Sequence, residues 1–157
     1  MAGNYLQLYY HFVWATKGRN ELITPEIEGS LYDYISTLCR GMHVRILAMN
    51  GMPDHLHIAC CVPPTLALSA FVKSIKAKSS YYVNRLDGFR HYMAWQPGYG
   101  VLTFSKQELE TVVGYIRGQK EHHGANRLIA SMDRCEEVSE DGGYRKSRAN
   151  PRNEFRG

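Results

Sequence analysis

Apolar side chains near the start of the chain recur at every second position, a period that predicts a β-strand. The stretch YLQLYYHFVW spans residues 5–14. Successive side chains of a strand point to opposite faces of its sheet, so alternate positions share a face. One face of this segment would carry Leu6, Leu8, Tyr10, Phe12 and Trp14. We therefore predict a central strand over residues 5–14.

A helical period follows this strand. Thr24 is suited to cap a helix that begins with Pro25, because proline lacks the backbone donor that the first helical position leaves unused. We predict that this helix runs to about Arg40 and that Gly41 ends it. Its apolar positions fall at helical spacing and are Ile27, Leu31, Tyr34, Ile35 and Leu38.

The next two apolar segments read as an antiparallel hairpin. HVRILAMN, residues 43–50, predicts the second strand, and PDHLHIACCV, residues 53–62, contains the third. Asn50-Gly51 is a frequent turn sequence between paired strands, so we place the turn there.

The rest of the pattern completes an α+β fold. Pro63 and Pro64 end the sheet segment, and Thr65 would cap a second helix over about residues 66–86. A fourth strand is predicted over 99–105. Ser105 and Glu108 form a capping box for a third helix that reaches about His123. The order is β-α-β-β-α-β followed by a helix, which is the ferredoxin-like arrangement with an antiparallel sheet.

Composition adds broad limits to this prediction. The chain has 157 residues, of which 44% are hydrophobic, a size that suits one globular domain. We place that domain at residues 1–125 and expect a polar, flexible tail at 126–157, which has almost no aliphatic residues. The formal net charge of +4 is compatible with a nucleic-acid partner but does not require one.

Location follows from what the sequence lacks. No apolar run approaches the roughly 20 residues of a membrane-spanning helix, and the first residues do not resemble a signal peptide. The four cysteines show no CxxC spacing, and unpaired thiols are typical of a reducing compartment. We expect a cytoplasmic protein with no membrane partner.

Two histidines on the third strand are the first candidates for chemistry. His55 and His57 are two residues apart, so their rings project side by side. Neutral imidazole is a common ligand of divalent metal ions. The pair is compatible with half of a metal site, and equally with two polar residues on a half-buried strand. Asp54 precedes the pair, and we favour a role in the turn over a contact with a histidine.

A tyrosine and a glutamine on the third helix are the second candidates. Tyr115 and Gln119 are four residues apart and therefore share a helix face. Gly114 and Gly118 flank them, and each costs helix stability, which is understandable if another backbone comes close. By pattern alone, such a tyrosine is ordinarily a core or boundary residue. The lysines of the second helix, Lys73, Lys76 and Lys78, would by themselves indicate only a solvated helix face.

Several of these motifs together resemble a known family. The sequences YYHFVWATKGR, NGMPDHLHI, WQPGYGVLTFS and YIRGQKEHH are similar to those of the single-tyrosine transposases of the HUH class. These are small enzymes of bacterial insertion sequences, with relatives associated with repetitive extragenic palindromes. His55-Leu56-His57 matches the histidine, bulky hydrophobe, histidine motif that gives the class its name. The resemblance covers about residues 5–124.

The resemblance implies a function and a set of residue roles. The family cleaves and rejoins single-stranded DNA at hairpin-containing element ends through a 5′-phosphotyrosine. It would make Tyr115 the nucleophile and His55, His57 and Gln119 the ligands of a divalent ion, Mg²⁺ or Mn²⁺. Lys73, Lys76 and Lys78 then become candidate phosphate contacts, and exposed aromatic residues such as Tyr81 or Tyr92 could stack on bases. Many relatives are homodimers.

Two rival functions make different demands on the sequence. A histidine-triad nucleotide hydrolase would need a third alternating histidine, and the residue at that position is Ala59. A non-catalytic, ferredoxin-like nucleic-acid-binding protein would have no use for a metal ion. The absence of tyrosine-linked DNA would favour that second alternative, or an inactive transposase remnant.

Overall fold

Four antiparallel strands form one sheet in the order β2-β3-β1-β4. The computed structural model describes residues 3–124. Its elements are β1 (Tyr9–Ala15), α1 (Pro25–Gly41), β2 (Arg45–Met52), β3 (His55–Cys61), α2 (Leu68–Val83), β4 (Gly100–Phe104), α3 (Leu109–Arg117) and α4 (Gln119–Gly124). The α+β class and the ferredoxin-like order are thus as predicted. The tail at 126–157 lies outside the described residues, so the domain division stays a prediction.

The main core lies between one face of the sheet and the helices α1 and α2. Phe12 and Trp14 of β1 and the alternate residues of β3 point to this side and are buried. Phe71 of α2 meets Phe12 edge-on, with 5.2 Å between ring centroids. The period of two in the strands and the helical period in α1 therefore face each other, which is why these elements pack as a layer. The opposite face of the sheet is left for α3.

The first strand is shorter than predicted. β1 begins at Tyr9, and Tyr5 and Leu6 are exposed. Tyr9 pairs with Cys61 on one side and with Phe104 on the other, and these are the last residues of β3 and β4. The alternating pattern therefore continues past the point where neighbouring strands end.

The turn of the β2–β3 hairpin is also displaced from its predicted place. Asn50 and Gly51 lie within β2, and the turn is Pro53-Asp54, closed by the pairing of Met52 with His55. Gly51 is needed for close packing instead. A Cβ atom there would lie 2.2 Å from the carbonyl oxygen of His55, so no larger residue fits without movement of that backbone.

The second helix is shorter at both ends than predicted. It starts at Leu68 with Ala67 as its N-cap, so the predicted cap at Thr65 is wrong. At the other end, the Asn84 side chain accepts from the backbone nitrogen of Met93 at 2.7 Å and donates to its oxygen at 2.9 Å. These two bonds fold the following segment back toward α2.

The third predicted helix is divided in two. The capping box is present, since the Glu108 carboxylate accepts from the backbone nitrogen of Ser105 at 2.8 Å. A 3-10 turn at 106–108 precedes α3, which ends at Arg117, and α4 starts at Gln119. Gly118, with φ of −86° and ψ of 11°, is the break between them. Within residues 3–124, no helix is long and apolar enough to cross a membrane.

Candidate active site

The candidate site lies on the sheet face that α3 covers. His55, His57 and Ala59 share this face of β3, because the residues between them enter the main core. Tyr115 and Ile116 of α3 are buried in a second, smaller apolar cluster with Ala59 and Ala48. The helix that carries the predicted nucleophile therefore docks over the strand that carries the histidines.

The two histidines are neighbours, as the strand geometry requires. Their ring centroids are 5.1 Å apart, and the ring planes meet at 77°. His55 is 5% exposed and His57 is completely buried. Burying two imidazoles is costly unless their nitrogens have polar partners.

A third histidine, His11, is the hydrogen-bond partner of His57. His11 of β1 is 2% exposed, and its Nε2 lies 2.8 Å from the Nδ1 of His57. The two rings are stacked, with 5.1 Å between centroids. Sequence reasoning did not single out His11. The available signal was its place in the first strand, on the face opposite to Tyr10, Phe12 and Trp14, where an apolar residue would otherwise be expected.

Asp54 provides the partner for His55. Its Oδ1 lies 2.7 Å from the Nδ1 of His55, and its Oδ2 accepts from Arg19 at 3.0 Å. Asp54 lies in the turn, as predicted, but the expectation that it does not contact a histidine was wrong. Burial raises the pKa of the Asp54 carboxyl, but the hydrogen bonds and charges of His55 and Arg19 outweigh it and lower the pKa to about 2. Asp54 is thus a carboxylate at neutral pH.

The Nδ1 atoms of His55 and His57 therefore each lie within hydrogen-bond distance of a neighbouring side chain. The other ring nitrogen of each, Nε2, is buried within the site. This division of the two nitrogens is common in metal-binding histidines, where the second nitrogen is held by another protein group.

Tyr115 contacts one histidine of the pair. Its ring meets the ring of His57 edge-on, at a centroid distance of 6.1 Å and an angle of 84°. It is 4% exposed, so the hydroxyl group lies in a sheltered site.

Gln119 is completely buried although it opens a new helix. Its Nε2 lies 3.5 Å from the carbonyl oxygen of Tyr115, which places the amide on the turn that carries the tyrosine. Gln119 therefore stays next to Tyr115 although the helix breaks at Gly118 between them.

The flanking glycine has no close neighbour within the described chain. A Cβ atom at Gly114 would meet nothing within 4 Å. Close packing against another helix of the described chain therefore does not explain why residue 114 is a glycine. That a different molecule comes close to Gly114 stays a prediction.

The lysines of α2 lie across the sheet from this site. Lys73 and Lys78 are exposed on α2, which packs on the face opposite to the histidines. Lys76 has a structural contact: its ammonium donates to the carbonyl oxygen of Gln96 at 3.0 Å and also to that of Gly98. It therefore holds the segment that leads into β4.

The side chains that could hold a metal ion here are imidazoles and an amide. Among residues 3–124, no group of three or more His, Cys, Asp or Glu side chains could hold a metal ion. A site built on His55 and His57 would need a third donor of another type, and the amide oxygen of Gln119 is such a donor. Imidazole nitrogen with amide oxygen is a reasonable set for a divalent ion that keeps open positions.

Comparison with known proteins decides the family. Residues 4–119 match the family described as "Transposase IS200 like", and this range ends at Gln119. The chain belongs to the IS200-like transposase family. It is therefore a transposase, an enzyme that processes DNA of a mobile element.

Curated IS200-like transposases match over most of their length. The ISDra2 transposase TnpA of Deinococcus radiodurans is 28% identical over 122 residues, covering 74% of this chain and 87% of that protein. The transposase for insertion sequence element IS200 of Salmonella typhimurium is 31% identical over 117 residues, covering 71% of this chain and 76% of that protein.

Solved structures of transposases share the fold. A putative transposase from Deinococcus radiodurans superposes with a TM-score of 0.56 at 25% identity, over 76% of this chain and 96% of that one. A REP-associated tyrosine transposase bound to a REP hairpin gives a TM-score of 0.58 at 16% identity, over 82% of this chain and 76% of that one. At that identity, the second likeness concerns the fold alone.

Proposed function

We propose that this IS200-like transposase cleaves and rejoins single-stranded DNA at hairpin-containing element ends, with Tyr115 as the nucleophile. The observation that carries the proposal is the contact of buried Tyr115 with His57, one of the two buried histidines, at 6.1 Å between ring centroids. A phenol is a poor nucleophile at neutral pH, since its unperturbed pKa is near 10. A tyrosine placed against metal-binding groups is a reasonable solution to that difficulty.

In the proposed reaction, the Tyr115 oxygen attacks the phosphorus of a DNA phosphodiester. The bond to the 3′-oxygen breaks, the phenol loses its proton, and the leaving 3′-oxygen gains one. The products are a 5′-phosphotyrosine and a free 3′-hydroxyl. Attack of a 3′-hydroxyl on the phosphotyrosine runs the same exchange backwards, so rejoining needs no nucleotide cofactor.

His55, His57 and Gln119 are the residues that would hold a divalent ion, Mg²⁺ or Mn²⁺. When bound, such an ion neutralises charge on the phosphate and orients it. The protein's own part is to fix the two imidazoles through Asp54 and His11 and to keep Tyr115 beside them. Burial of both imidazoles and of Tyr115 excludes water from the reacting centre.

The DNA contacts outside the reacting centre are assigned to exposed groups. We propose Lys73 and Lys78 as phosphate contacts, because both ammonium groups lie on the solvent side of α2. Lys76 keeps its place in this proposal only as a secondary contact, since its ammonium already binds two carbonyl groups. Exposed Tyr81, whose ring lies 4.0 Å from the Arg85 guanidinium, is a candidate platform for a base.

We also propose that the enzyme acts as a homodimer. The outer edges of β2 and β4 are the two edges of the sheet, and an edge strand offers backbone groups for pairing with a second copy. Light scattering of the purified protein tests this, and a monomer at all concentrations would remove the dimer from the proposal.

The nucleophile is tested with labelled single-stranded hairpin DNA and Mn²⁺ on a denaturing gel. Wild type should give a protein-linked DNA band, and Tyr115→Phe should give none, because the substitution removes one oxygen and keeps the ring. Tyr99→Phe is the matched control and should retain the band. A band that survives in Tyr115→Phe would refute the assignment. No band in wild type would favour a non-catalytic DNA-binding protein.

A further inference from the structure

The junction between α3 and α4 is held by side chains of other elements. Asn50 of β2 donates from its Nδ2 to the carbonyl oxygen of Arg117 at 2.9 Å. Its Oδ1 accepts from the Lys120 ammonium at 2.8 Å. One amide therefore binds the last residue of α3 and the second residue of α4, on either side of Gly118.

Lys120 extends this contact to a further element. Its ammonium forms an ion pair with Glu28 of α1 and lies 3.4 Å from the carbonyl oxygen of Gly51. We call the side chains of Asn50, Lys120 and Glu28 the junction latch. It links β2, α1 and both helices of the divided segment.

The latch acts where the helical segment is weakest. The last carbonyl groups of a helix lack donors within that helix, and glycine adds conformational freedom at the break. Asn50 supplies a donor to Arg117 at that point. The ion pair between Lys120 and Glu28 contributes less, because the Lys120 side chain is 53% exposed and surface ion pairs are weak.

The position of Asn50 relates the latch to the candidate site. In the pairing of β2 with β3, Asn50 stands directly opposite His57. The same strand position thus faces one histidine in the sheet and binds the segment that carries Tyr115 and Gln119. A shift of that segment would move both residues relative to His57.

We propose that Asn50 and Lys120 are positioning residues, which hold the α3–α4 junction so that Tyr115 stays against His57 and Gln119 stays buried beside Tyr115. The roles of Tyr115 and Gln119 rest on the proposed function, but the docking itself does not. Loss of the latch should free the segment from 109 to 121 locally, while the main core behind the sheet stays intact.

Hydrogen exchange measured without DNA or metal tests the docking. Asn50→Ala should raise exchange about 10-fold in peptides from 109–121 and leave peptides of α2 unchanged. Lys120→Met should raise it less, and the double variant should show less than the sum because the two side chains share one contact. Lys17→Met, at an exposed lysine after β1, is the control and should change neither region.

Tyrosine chemistry gives a second readout. Tyr115 is 4% exposed, so tetranitromethane should nitrate it slowly in wild type and several-fold faster in Asn50→Ala. Unchanged exchange and nitration in both latch variants would overturn the inference, and so would a rise spread equally over α2. If Asn50→Ala fails to fold, Lys120→Met alone decides by the same measurements.

Single-turnover adduct formation separates positioning from plain stability. In the latch variants the rate should fall about 10-fold while hairpin affinity stays constant. Lowered affinity with an unchanged rate would count against positioning. If wild type forms no adduct, the proposed function fails, yet exchange and nitration still decide the docking.

Discussion

The Nε2 of His11 and the Nδ1 of His57 lie 2.8 Å apart, so one of the two buried rings donates a hydrogen bond to the other. If His57 binds a metal ion through Nε2, its proton must sit on Nδ1 and His11 must accept. His11 would thereby set the form of His57 that can act as a ligand.

His11→Phe should therefore weaken metal binding while filling the space of the ring. We expect Mn²⁺ affinity to fall by about 10-fold to 100-fold, the usual effect of removing a group behind a ligand. Titration calorimetry measures this, with His91→Phe at an exposed site as the matched control. Equal Mn²⁺ affinity in His11→Phe and wild type would contradict the role.

Asp54 should make folding stability depend on pH in the acid range. Its folded-state pKa of about 2 lies below the ordinary value of 3.8, so its contribution is complete above about pH 4 and is lost as pH falls toward 2. The contribution is at most about 2 kcal/mol. Urea unfolding at several pH values should show a shallower acid loss in Asp54→Asn. A parallel loss in both proteins would show that other groups cause it.

Two glycine substitutions should have opposite effects on stability. Gly51→Ala places a methyl group against the His55 carbonyl and should cost about 2 kcal/mol or more, because backbone must move. Gly114→Ala meets nothing nearby and should add roughly 0.5–1 kcal/mol through helix propensity. Urea denaturation measures both.

If DNA passes close to α3, the Gly114→Ala variant will bind hairpin DNA more weakly than wild type despite its added stability. Unchanged binding would argue against a close approach of DNA to α3.

The lysines of α2 should separate into two kinds. Lys73→Ala and Lys78→Ala should each weaken hairpin binding and lower the salt dependence by about one ion, as expected for a lost phosphate contact. Lys76→Ala should mainly raise hydrogen exchange in residues 94–100, since its carbonyl partners lie there. Filter binding across a salt series measures the first effect. A larger binding loss in Lys76→Ala than in Lys73→Ala would reverse these assignments.

The sequence predicted the elements better than their ends. The pattern predicted the strands β1 to β4 and the helices α1 to α3, because burial on one face leaves a clear pattern, but it did not predict the break that separates α4 from α3. The ends depended on partners distant in the chain: β1 starts where β3 and β4 can pair with Tyr9, and β2 runs through Asn50 because Gly51 packs against His55. Contacts between residues that are distant in the chain leave no signal in the local sequence.

Only the residues of the candidate site that belong to sequence motifs could be predicted. His55, His57, Tyr115 and Gln119 came from a resemblance and from regular spacing. His11, Asn50 and Lys120 were missed, because each matters through a contact with a residue at least 46 positions away. The contact of Asp54 with its neighbour His55 was misjudged, since strict strand alternation does not apply to a residue in the turn.

The placement of α2 and α3 on opposite faces of the sheet constrains the path of any bound nucleic acid. A strand that reaches Tyr115 and also touches Lys73 or Lys78 has to bend around the rim of the protein, beside β2 or beside β4. A hairpin stem and the strand cut next to it would then leave the protein in different directions. The unpaired linker between the stem and the cleavage point would therefore need a minimum length, set by the distance around the rim. A linker shorter than that distance would prevent cleavage, while binding of the stem would be unchanged.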